Sequence, residues 1–239
     1  MIIGDNMQNL SRLELLTSKE NIEKIKKTNV FLIGLGGVGG YTFETLARSG
    51  IENITIADGD TFEESNLNRQ ILSLNSTLNK NKTDVAELRA LDINPNIKIK
   101  KITKILTKEN IKEINFKDYD YVIDACDTIE IKKEIIRICT KEKIKFISCM
   151  GTGNKMNPQL LEITTLDKTE YDPIAKILRK YVKEEKINKK IKVVASKEKP
   201  KKTNTTTIGS NAFVPATAGL LLTSYVINDI VGESWKYMI

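Results

Sequence analysis

The sequence predicts an α/β fold: a doubly wound, mainly parallel sheet of the Rossmann-like type, extended by a smaller C-terminal antiparallel part. Short β-branched and apolar runs alternate with helical segments through about residue 150, and this alternation is typical of parallel βαβ units. A glycine-rich turn, GLGGVGG at residues 34–40, joins the first strand directly to a helix. At 239 residues, the chain is long enough to bury one such core with a small lobe.

The elements of the first half follow from the hydrophobic pattern, taken in chain order. The first helix opens with Ser18 and closes with lysines, as helix ends prefer. Strands are predicted at 29–34, 52–58, 96–102, 118–125 and 144–151, and helices at 18–27, 38–51, 81–93 and 128–143. Because ligands of such sheets bind at the carboxyl ends of the strands, we expect the site there.

After Gly151 the pattern changes, and we predict a smaller lobe that continues the same sheet. It contains QLLEITTL, a helical segment at 174–186, the run KIKVVAS, a polar stretch and a final apolar helix. We therefore interpret the chain as one domain. Residues 28–150 are its nucleotide-binding core, and residues 151–239 are a lobe for substrate and dimer contacts.

Composition narrows the chemistry. There is no histidine, which excludes histidine general bases and Ser-His-Asp triads. The three cysteines, Cys126, Cys139 and Cys149, have no C-x-x-C spacing, so neither a zinc ribbon nor a disulfide framework is predicted. The net charge of +7 favours an anionic partner such as RNA or a nucleotide, although a lysine-rich composition alone also explains it.

Neither end of the chain predicts membrane insertion. Asp5, Asn6 and Gln8 interrupt the stretch that a secretory signal would need to be apolar, so we expect a cytoplasmic protein. The run 212–227 is apolar, but its about 16 residues fall short of the roughly 20 that span a bilayer. We predict a buried helix there.

The glycine-rich turn is the first candidate for binding a ligand. Gly34, Gly36 and Gly39 form G-x-G-x-x-G between a strand and a helix, with Gly37 inside the motif. Glycines let the backbone approach phosphates, and the helix N-terminus adds partial positive charge. The alternative is a tight turn that only packs the helix on the sheet.

The second strand ends in Asp58, which is placed to accept from ribose hydroxyls. Up to this point an NAD enzyme fits equally well. The segment that follows favours ATP, because a guanidinium grips phosphates bidentately and an uncharged nicotinamide has no use for one. Its candidate nucleotide-binding residues, with a lysine at the next helix start, are Asp60, Asn66, Arg69, Gln70 and Lys82.

The fourth strand ends in Asp124-Ala125-Cys126-Asp127. Magnesium prefers one or two carboxylates together with phosphate oxygens. We therefore predict that Asp124 and Asp127 contact a magnesium nucleotide, with Asp127 as the metal ligand. The alternative for Asp127 is that it caps the following helix.

Together these motifs resemble the ubiquitin-activating-type adenylyltransferases, the superfamily of ThiF-like enzymes. The tail, residues 151–186 and 209–232, resembles the tRNA threonylcarbamoyladenosine dehydratases within that superfamily. The C-x-x-C pairs that bind zinc in the sulfur-carrier-activating relatives are absent, and the stretch 195–211 has no cysteine for a thioester. The motifs of the first half are GLGGVGG, the strand-end Asp58, SNLNRQ, Lys82 and VIDACDT.

The resemblance implies an ATP- and magnesium-dependent enzyme without zinc. ATP binds on the glycine-rich turn, Asp58 holds its ribose, Arg69 and Lys82 bind its phosphates, and Asp127 positions magnesium. The carboxylate of threonylcarbamoyladenosine beside the tRNA anticodon is adenylated, and ring closure then releases AMP. Arg12 matches an N-terminal arginine that reaches the partner's site in a homodimer; an ordinary surface arginine is the alternative.

The resemblance also admits a protein of the cysteine-desulfurase system as a partner. The region 174–202 carries eleven lysines and one arginine against three glutamates, and it predicts a tRNA-binding patch. A solvated helix is the alternative. We expect phosphate contacts from Lys176, Arg179, Lys180 and Lys183.

Three other functions stay open at this point. One is an adenylyltransferase for a ubiquitin-like sulfur carrier, and another is an NAD(P)-dependent oxidoreductase. The third is a non-catalytic tRNA-binding or redox-sensing module with a degenerate nucleotide site. Each is distinguished by its ligand: a protein ending in Gly-Gly, NADH, or tRNA without ATP consumption.

Overall fold

The computed structural model describes residues 10–188 and 190–232. The polar N-terminal residues Asp5, Asn6 and Gln8, and Lys189 of the basic region, lie outside the described residues. The strands are β1 Asn29–Ile33, β2 Asn53–Ala57, β3 Lys98–Ile102, β4 Tyr121–Asp124, β5 Lys145–Cys149, β6 Leu161–Thr165 and β7 Lys192–Ser196. The α-helices are α1 Ser11–Leu16, α2 Lys19–Lys27, α3 Gly39–Arg48, α4 Lys82–Ile93, α5 Ile129–Glu142, α6 Pro173–Glu184 and α7 Phe213–Val231.

The seven strands form one sheet in the order β3-β2-β1-β4-β5-β7-β6. All neighbouring pairs are parallel except β6 and β7, which are antiparallel. The predicted fold, including the antiparallel C-terminal part, is confirmed. The strand order reverses between β1 and β4, and such a switch point opens a crevice at the carboxyl ends of the strands.

Helices cover both faces of the sheet, and β1 shows why. Val30 and Leu32 belong to the cluster that contains α2, α3 and α7, whereas Phe31 and Ile33 belong to the cluster under α5. All four side chains are buried. A strand that is covered on both faces reads as a continuous apolar run, and this explains the sequence NVFLI.

The last helix, α7, packs closely on α3. A Cβ atom at Gly219 would lie 2.5 Å from the carbonyl oxygen of Val38, so only glycine permits this approach. By length and composition α7 is the one helix in the described part of the chain that could cross a membrane, and 44% of its most apolar window is buried inside the protein. Its contacts with α2, α3 and the sheet are those of a core helix.

Several element boundaries differ from the predicted ones, and one short helix lies outside the predicted elements. The helix predicted to reach residue 51 ends at Arg48, because Gly50 adopts a left-handed conformation, φ 92°. The strand predicted from residue 118 begins at Tyr121, after a short 3-10 turn. The short helix α1 carries no strong periodicity and was not predicted; it packs on α2.

Candidate active site

A cavity of about 1090 Å³ lies at the carboxyl ends of β1, β2, β4 and β5, where the strand order reverses. The predicted site residues that line it are Gly34, Gly36, Gly37, Asp58, Asp60, Asn66, Arg69, Gln70, Lys82 and Asp127. Gly39, Asp124 and Arg12 are not among the described residues that line it. The topology thus brings segments that are distant in sequence to one opening.

The glycine turn, residues 34–40, has two tight positions and one open position. Gly34 has φ 92°, and its Cβ would lie 2.9 Å from the carbonyl oxygen of Ala125. A Cβ at Gly39 would lie 1.8 Å from the carbonyl oxygen of Gly34. At Gly36 the nearest atom would be 4.0 Å away, so that position faces open space in the cavity.

Backbone donors of this turn are free to bind an anion. Among the described residues, the N–H groups of Gly36, Gly37 and Val38 have no hydrogen-bond partner. They precede the first turn of α3, where the helix dipole adds partial positive charge. Unpaired amides at a helix N-terminus form a ready anion site.

Asp58 is fixed by two backbone donors. Its carboxylate accepts from Leu35 N at 2.7 Å and from Asp60 N at 2.9 Å. Burial raises the pKa of this carboxyl above its usual value, while Lys82 and the two amides work against the rise. The arrangement holds an oxygen acceptor rigidly beside the glycine turn.

Lys82 begins α4 and is almost fully buried. Its Nζ lies 3.0 Å from Asp60 Oδ2 and 3.9 Å from Asp58 Oδ1. The ammonium group is therefore held at the cavity wall by the carboxylates of the β2 end. A held cation of this kind is a point charge for phosphate.

Arg69 and Gln70 line the cavity from the turn that follows the 3-10 helix Glu64–Asn66. Arg69 Nη1 donates to Ser65 O at 2.7 Å and to Asn68 Oδ1 at 3.0 Å, which fixes the guanidinium. Gln70 is buried, and its Oε1 has no hydrogen-bond partner among the described residues. Since a buried acceptor without a partner is costly, this oxygen is suited to a donor on a ligand.

Asn66 lines the cavity but has a local structural role as well. Its Oδ1 accepts from Glu63 N at 3.2 Å, and the Glu63 carbonyl oxygen accepts in return from Asn66 N at 2.9 Å. This reciprocal pair closes the 3-10 turn Glu64–Asn66. Arg69 follows this 3-10 turn in the chain and lines the same cavity.

The two acids of the β4 end have different surroundings. Asp127 is exposed at the cavity, and its carboxylate contacts only Thr128 Oγ1 among the described residues, at 3.5 Å. Asp124 is fully buried and pairs with Lys132, Nζ to Oδ2 2.9 Å. The predicted contact of Asp124 with a nucleotide is not supported by this placement, because the side chain is fully buried and is not among the residues that line the cavity.

Lys132 is a residue that the sequence reading missed. Its fully buried Nζ also donates to Cys149 O at 2.7 Å, so the Asp124–Lys132 pair ties the ends of β4 and β5 together. The sequence does contain a pattern that indicates a buried lysine here. Lys132 falls on the same helical stripe as Ile135, Ile136 and Cys139, all buried, and a lysine on an apolar stripe needs a buried partner.

The far end of the cavity is built by the loop 151–154 and by the start of α6. Lys155, also missed, is buried; its Nζ donates to Gly151 O at 2.5 Å and lies 3.3 Å from Asp172 Oδ2. Asp172 caps α6 by accepting from Ala175 N. This buried pair therefore fixes the loop against the helix.

The thiols near the cavity are poorly suited to nucleophilic chemistry. Cys149 lines the cavity, and burial raises its pKa to about 12. Burial likewise raises the pKa of Cys126, and the neighbouring Asp124 adds to this. Reactive cysteines have lowered pKa values instead.

The residues predicted to contact tRNA or a partner subunit differ in whether the protein already binds their charged groups. Arg12 is exposed on α1, beside the exposed Leu15 and Leu16. On α6, Arg179 Nη1 donates a hydrogen bond to Thr169 O at 2.8 Å, and Lys180 Nζ lies 3.7 Å from Glu184 Oε1. Lys176 and Lys183 are exposed.

A metal at this site would need ligands from its nucleotide. Within residues 10–188 and 190–232, no group of three or more Cys, Asp or Glu side chains could hold a metal ion. One accessible carboxylate, Asp127, beside an anion-binding turn fits magnesium, which commonly binds one or two carboxylates plus phosphate oxygens.

Comparison with known proteins identifies relatives along nearly the whole chain. The model of the ThiF family matches residues 8–236. The tRNA threonylcarbamoyladenosine dehydratase of Bacillus subtilis is 37% identical over 246 residues, covering 95% of this chain and 96% of that protein. The molybdopterin-synthase adenylyltransferase of Haemophilus influenzae is 35% identical, over 67% of this chain and 65% of that protein.

The fold is also similar to solved structures. The Escherichia coli tRNA N6-threonylcarbamoyladenosine dehydratase TcdA, in complex with AMP, superposes with a TM-score of 0.90. It is 28% identical, and the match covers 98% of both chains. A structure of the same protein in complex with ATP gives a TM-score of 0.89.

Proposed function

The chain belongs to the ThiF family, and from this premise we propose that it dehydrates threonylcarbamoyladenosine in tRNA with the use of ATP. The reaction converts the modified adenosine beside the anticodon to its cyclic form. The chain is thus an enzyme of adenylation chemistry. Its whole-length similarity to dehydratases favours this substrate over the protein substrates of other adenylyltransferases.

The observation that carries the proposal is the two-ended cavity. One end has the features of a nucleotide site, namely unpaired amides, a rigid carboxylate and fixed cations. The other end extends past Cys149 to Pro173 and Ile174, which leaves room beyond a nucleotide for the group that it activates. A cavity for nucleotide alone would not need this second end.

At the nucleotide end, we assign the phosphates to the glycine turn. Gly36 offers open space, and both Gly36 and Gly37 offer free amides, whereas Gly34 and Gly39 allow the turn itself to close. Asp58 would accept from ribose hydroxyls. The unpaired Oε1 of Gln70 would accept from a donor on the ligand.

Charge neutralisation would come from two cationic side chains and from a bound magnesium ion. Arg69 and Lys82 would bind the β- and γ-phosphates, and Asp127 would hold magnesium. A bound magnesium ion would supply further charge neutralisation across the phosphates. Asp60 is assigned to holding Lys82 rather than to the ligand, because its carboxylate is 3.0 Å from that ammonium.

The chemistry needs no nucleophile from the protein. The threonylcarbamoyl carboxylate attacks the α-phosphorus and pyrophosphate leaves, giving an acyl-adenylate. The carbamoyl nitrogen then attacks the activated carbonyl, and AMP leaves as the ring closes with net loss of water. Intramolecular attack has a high effective molarity, which agrees with a chain that has no histidine and whose cavity thiols are held protonated.

The proposal includes a homodimer in the cytoplasm. Arg12 would complete the partner's site, and the exposed Leu15 and Leu16 on the same helix would be covered by the second copy. A protein of the cysteine-desulfurase system remains a proposed partner. The test of the dimer is given in the Discussion.

Mass analysis of tRNA nucleosides tests the reaction directly. Wild-type protein, ATP and magnesium are incubated with tRNA that carries threonylcarbamoyladenosine. We expect the modified nucleoside to lose the mass of one water, with AMP and pyrophosphate formed in equal amounts. Unmodified tRNA is the control, and an unchanged nucleoside mass would contradict the proposal.

The similarity to a molybdopterin-synthase adenylyltransferase supports one alternative, adenylation of a ubiquitin-like sulfur carrier. That function predicts pyrophosphate exchange that depends on a small protein ending in Gly-Gly. The proposed function predicts exchange that depends on modified tRNA. The same exchange assay, run with each substrate alone, separates the two.

A further inference from the structure

The segment that joins β7 to α7, residues 197–212, forms one wall of the cavity; we call it the crossover segment. Pro200, Ile208 and Ser210 line the cavity. Lys201 N donates to Asn154 O at 2.7 Å, and Gly209 N donates to Asn154 Oδ1 at 2.7 Å. The segment is therefore fastened to the opposite loop at two points.

Two charged side chains of the crossover segment are engaged within the protein. Lys197 Nζ lies 2.6 Å from Glu162 Oε2. The Glu198 carboxylate accepts from Met156 N at 2.9 Å and from Asn157 N at 2.7 Å. The Lys197 charge is thus paired with Glu162, and the Glu198 carboxylate is held by backbone amides rather than by a lysine of the segment.

Three further lysines of the crossover segment have no such contacts with the described residues. Lys199, Lys201 and Lys202 are exposed, and no described carboxylate lies within ion-pair distance of their ammonium groups. Pro200, between them, lines the cavity. Pro200 thus places its apolar ring at the cavity. The three exposed lysines, which have no ion-pair partner among the described residues, lie within two positions of it in the chain.

Helix α6 offers a weaker surface, although the sequence placed the phosphate contacts there. The Arg179 guanidinium is occupied by Thr169, and Lys180 is near Glu184. Glu185 adds another exposed negative charge. At 1.5 Å rise per residue, Lys183 lies roughly 14 Å along the helix from Ile174 at the cavity wall.

We propose that Lys199, Lys201 and Lys202 are the main phosphate contacts for the RNA whose modified base enters the cavity. This inference rests on the proposed function and adds the surface that holds its substrate. A base acted on by an enzyme must leave its stack to enter a pocket. The phosphates on either side of it then lie close to the cavity wall that contains Pro200, and Lys199 and Lys201 flank Pro200 in the chain.

The test compares two variants that each lose three lysines. One is K199A/K201A/K202A, and its matched control is K176A/K180A/K183A on α6. Alanine at position 201 keeps the hydrogen bond to Asn154, because that bond uses the backbone N–H. Binding of full-length protein to tRNA is measured over a range of salt concentrations, and ATP affinity and thermal stability are measured as controls.

For the crossover variant we expect the slope of log K against log salt to fall by about 2, since each single-stranded phosphate contact contributes roughly 0.7. Affinity for tRNA should fall roughly tenfold or more at about 0.15 M salt. The loss should be equal for modified and unmodified tRNA, because phosphate contacts carry no base information. ATP affinity should not change.

An unchanged slope in the crossover variant would overturn the inference, as would an equal or larger fall in the α6 variant. Weaker binding of an acidic protein with unchanged tRNA binding would assign the surface to a protein, and would also overturn it. These outcomes are distinct from a failure of the proposed function, which shows as tRNA binding without dehydration in the wild-type protein.

Discussion

Two aspartates at the same strand end show how strongly the surroundings set the role of a residue. Asp127 is exposed at the cavity, whereas Asp124 is buried between Lys132 and Ser148. From sequence both are expected to contact a magnesium nucleotide, with Asp127 as the metal ligand. Their surroundings predict opposite consequences for the same chemical change.

Asp127→Asn should reduce turnover by about 100-fold or more, because the site loses its accessible carboxylate for a metal. Its free energy of unfolding should stay within about 0.5 kcal/mol of wild type, since the side chain is exposed. Asp124→Asn should instead cost about 3–5 kcal/mol of stability, because it leaves the Lys132 charge buried without its partner. Urea unfolding and steady-state kinetics measure both.

The pair is its own control, because both variants exchange one carboxylate for one amide. If Asp124→Asn keeps wild-type stability and raises the magnesium concentration needed for turnover, Asp124 is a metal ligand after all. If Asp127→Asn turns over like wild type, Asp127 does not hold the magnesium ion that the reaction needs.

The glycine turn is the element on which nucleotide binding depends, and its positions are not equivalent. A Cβ at Gly36 meets nothing closer than 4.0 Å, whereas one at Gly39 would overlap the carbonyl oxygen of Gly34. One position is kept free for a ligand and the other for the chain itself.

Gly36→Ala should therefore fold with near-native stability and bind ATP roughly 10- to 100-fold more weakly, since its methyl group occupies ligand space at a cost of about 1–3 kcal/mol. Gly39→Ala should lose about 3 kcal/mol or more of stability through the backbone clash. Thermal unfolding with and without ATP distinguishes the two. Normal ATP stabilisation of Gly36→Ala would mean that the phosphates lie elsewhere.

At the scale of the whole molecule, the proposed dimer has a direct test. Arg12→Ala and Asp127→Asn should each be inactive alone. In a mixed dimer, the Arg12→Ala subunit keeps Asp127 and receives Arg12 from its partner, so one site is complete. Random mixing of subunits should restore up to about one quarter of wild-type activity.

Mixing Arg12→Ala with the double variant R12A/D127N is the control, since no subunit then carries Arg12. Activity after the first mixing and none after the second supports a shared site. No recovery in the first mixture would mean that Arg12 acts within its own chain or has no role.

Asp229, in the last turn of α7, links that helix to the sheet. Its carboxylate accepts from the Tyr121 hydroxyl and from Lys145 Nζ, the latter at 2.7 Å. Burial raises the pKa of Asp229, but the hydrogen bonds from Lys145 and Tyr121 outweigh burial, so the net pKa lies below the usual value of 3.8.

A lowered carboxyl pKa stabilises the fold above the unfolded-state pKa, and the stabilisation is lost as pH falls through the folded-state pKa. Asp229→Asn should lower stability at neutral pH by about 1 kcal/mol, or roughly 2–4 °C in Tm. The difference from wild type should shrink below about pH 4. Calorimetry at neutral and acid pH tests this, and a constant difference would contradict it.

The order of strands and helices along the chain, and the segments that meet at the sheet switch point, could be predicted from local patterns in the sequence. This was possible because the apolar period, the glycine turn and the strand-end acids are local patterns, and parallel strands bring their carboxyl ends to one edge. The short helix α1 and the exact helix ends could not be predicted from the sequence, since these depend on weak local contacts.

The tertiary structure was needed to distinguish the charged residues that line the cavity from those that stabilise the fold. Asp124, Lys132 and Lys155 belong to buried pairs, and the crossover segment lies at the cavity although it is far from the glycine turn in sequence. Burial and partner distance set the cost of each charge. Both are properties of the packed molecule, so no local pattern contains them.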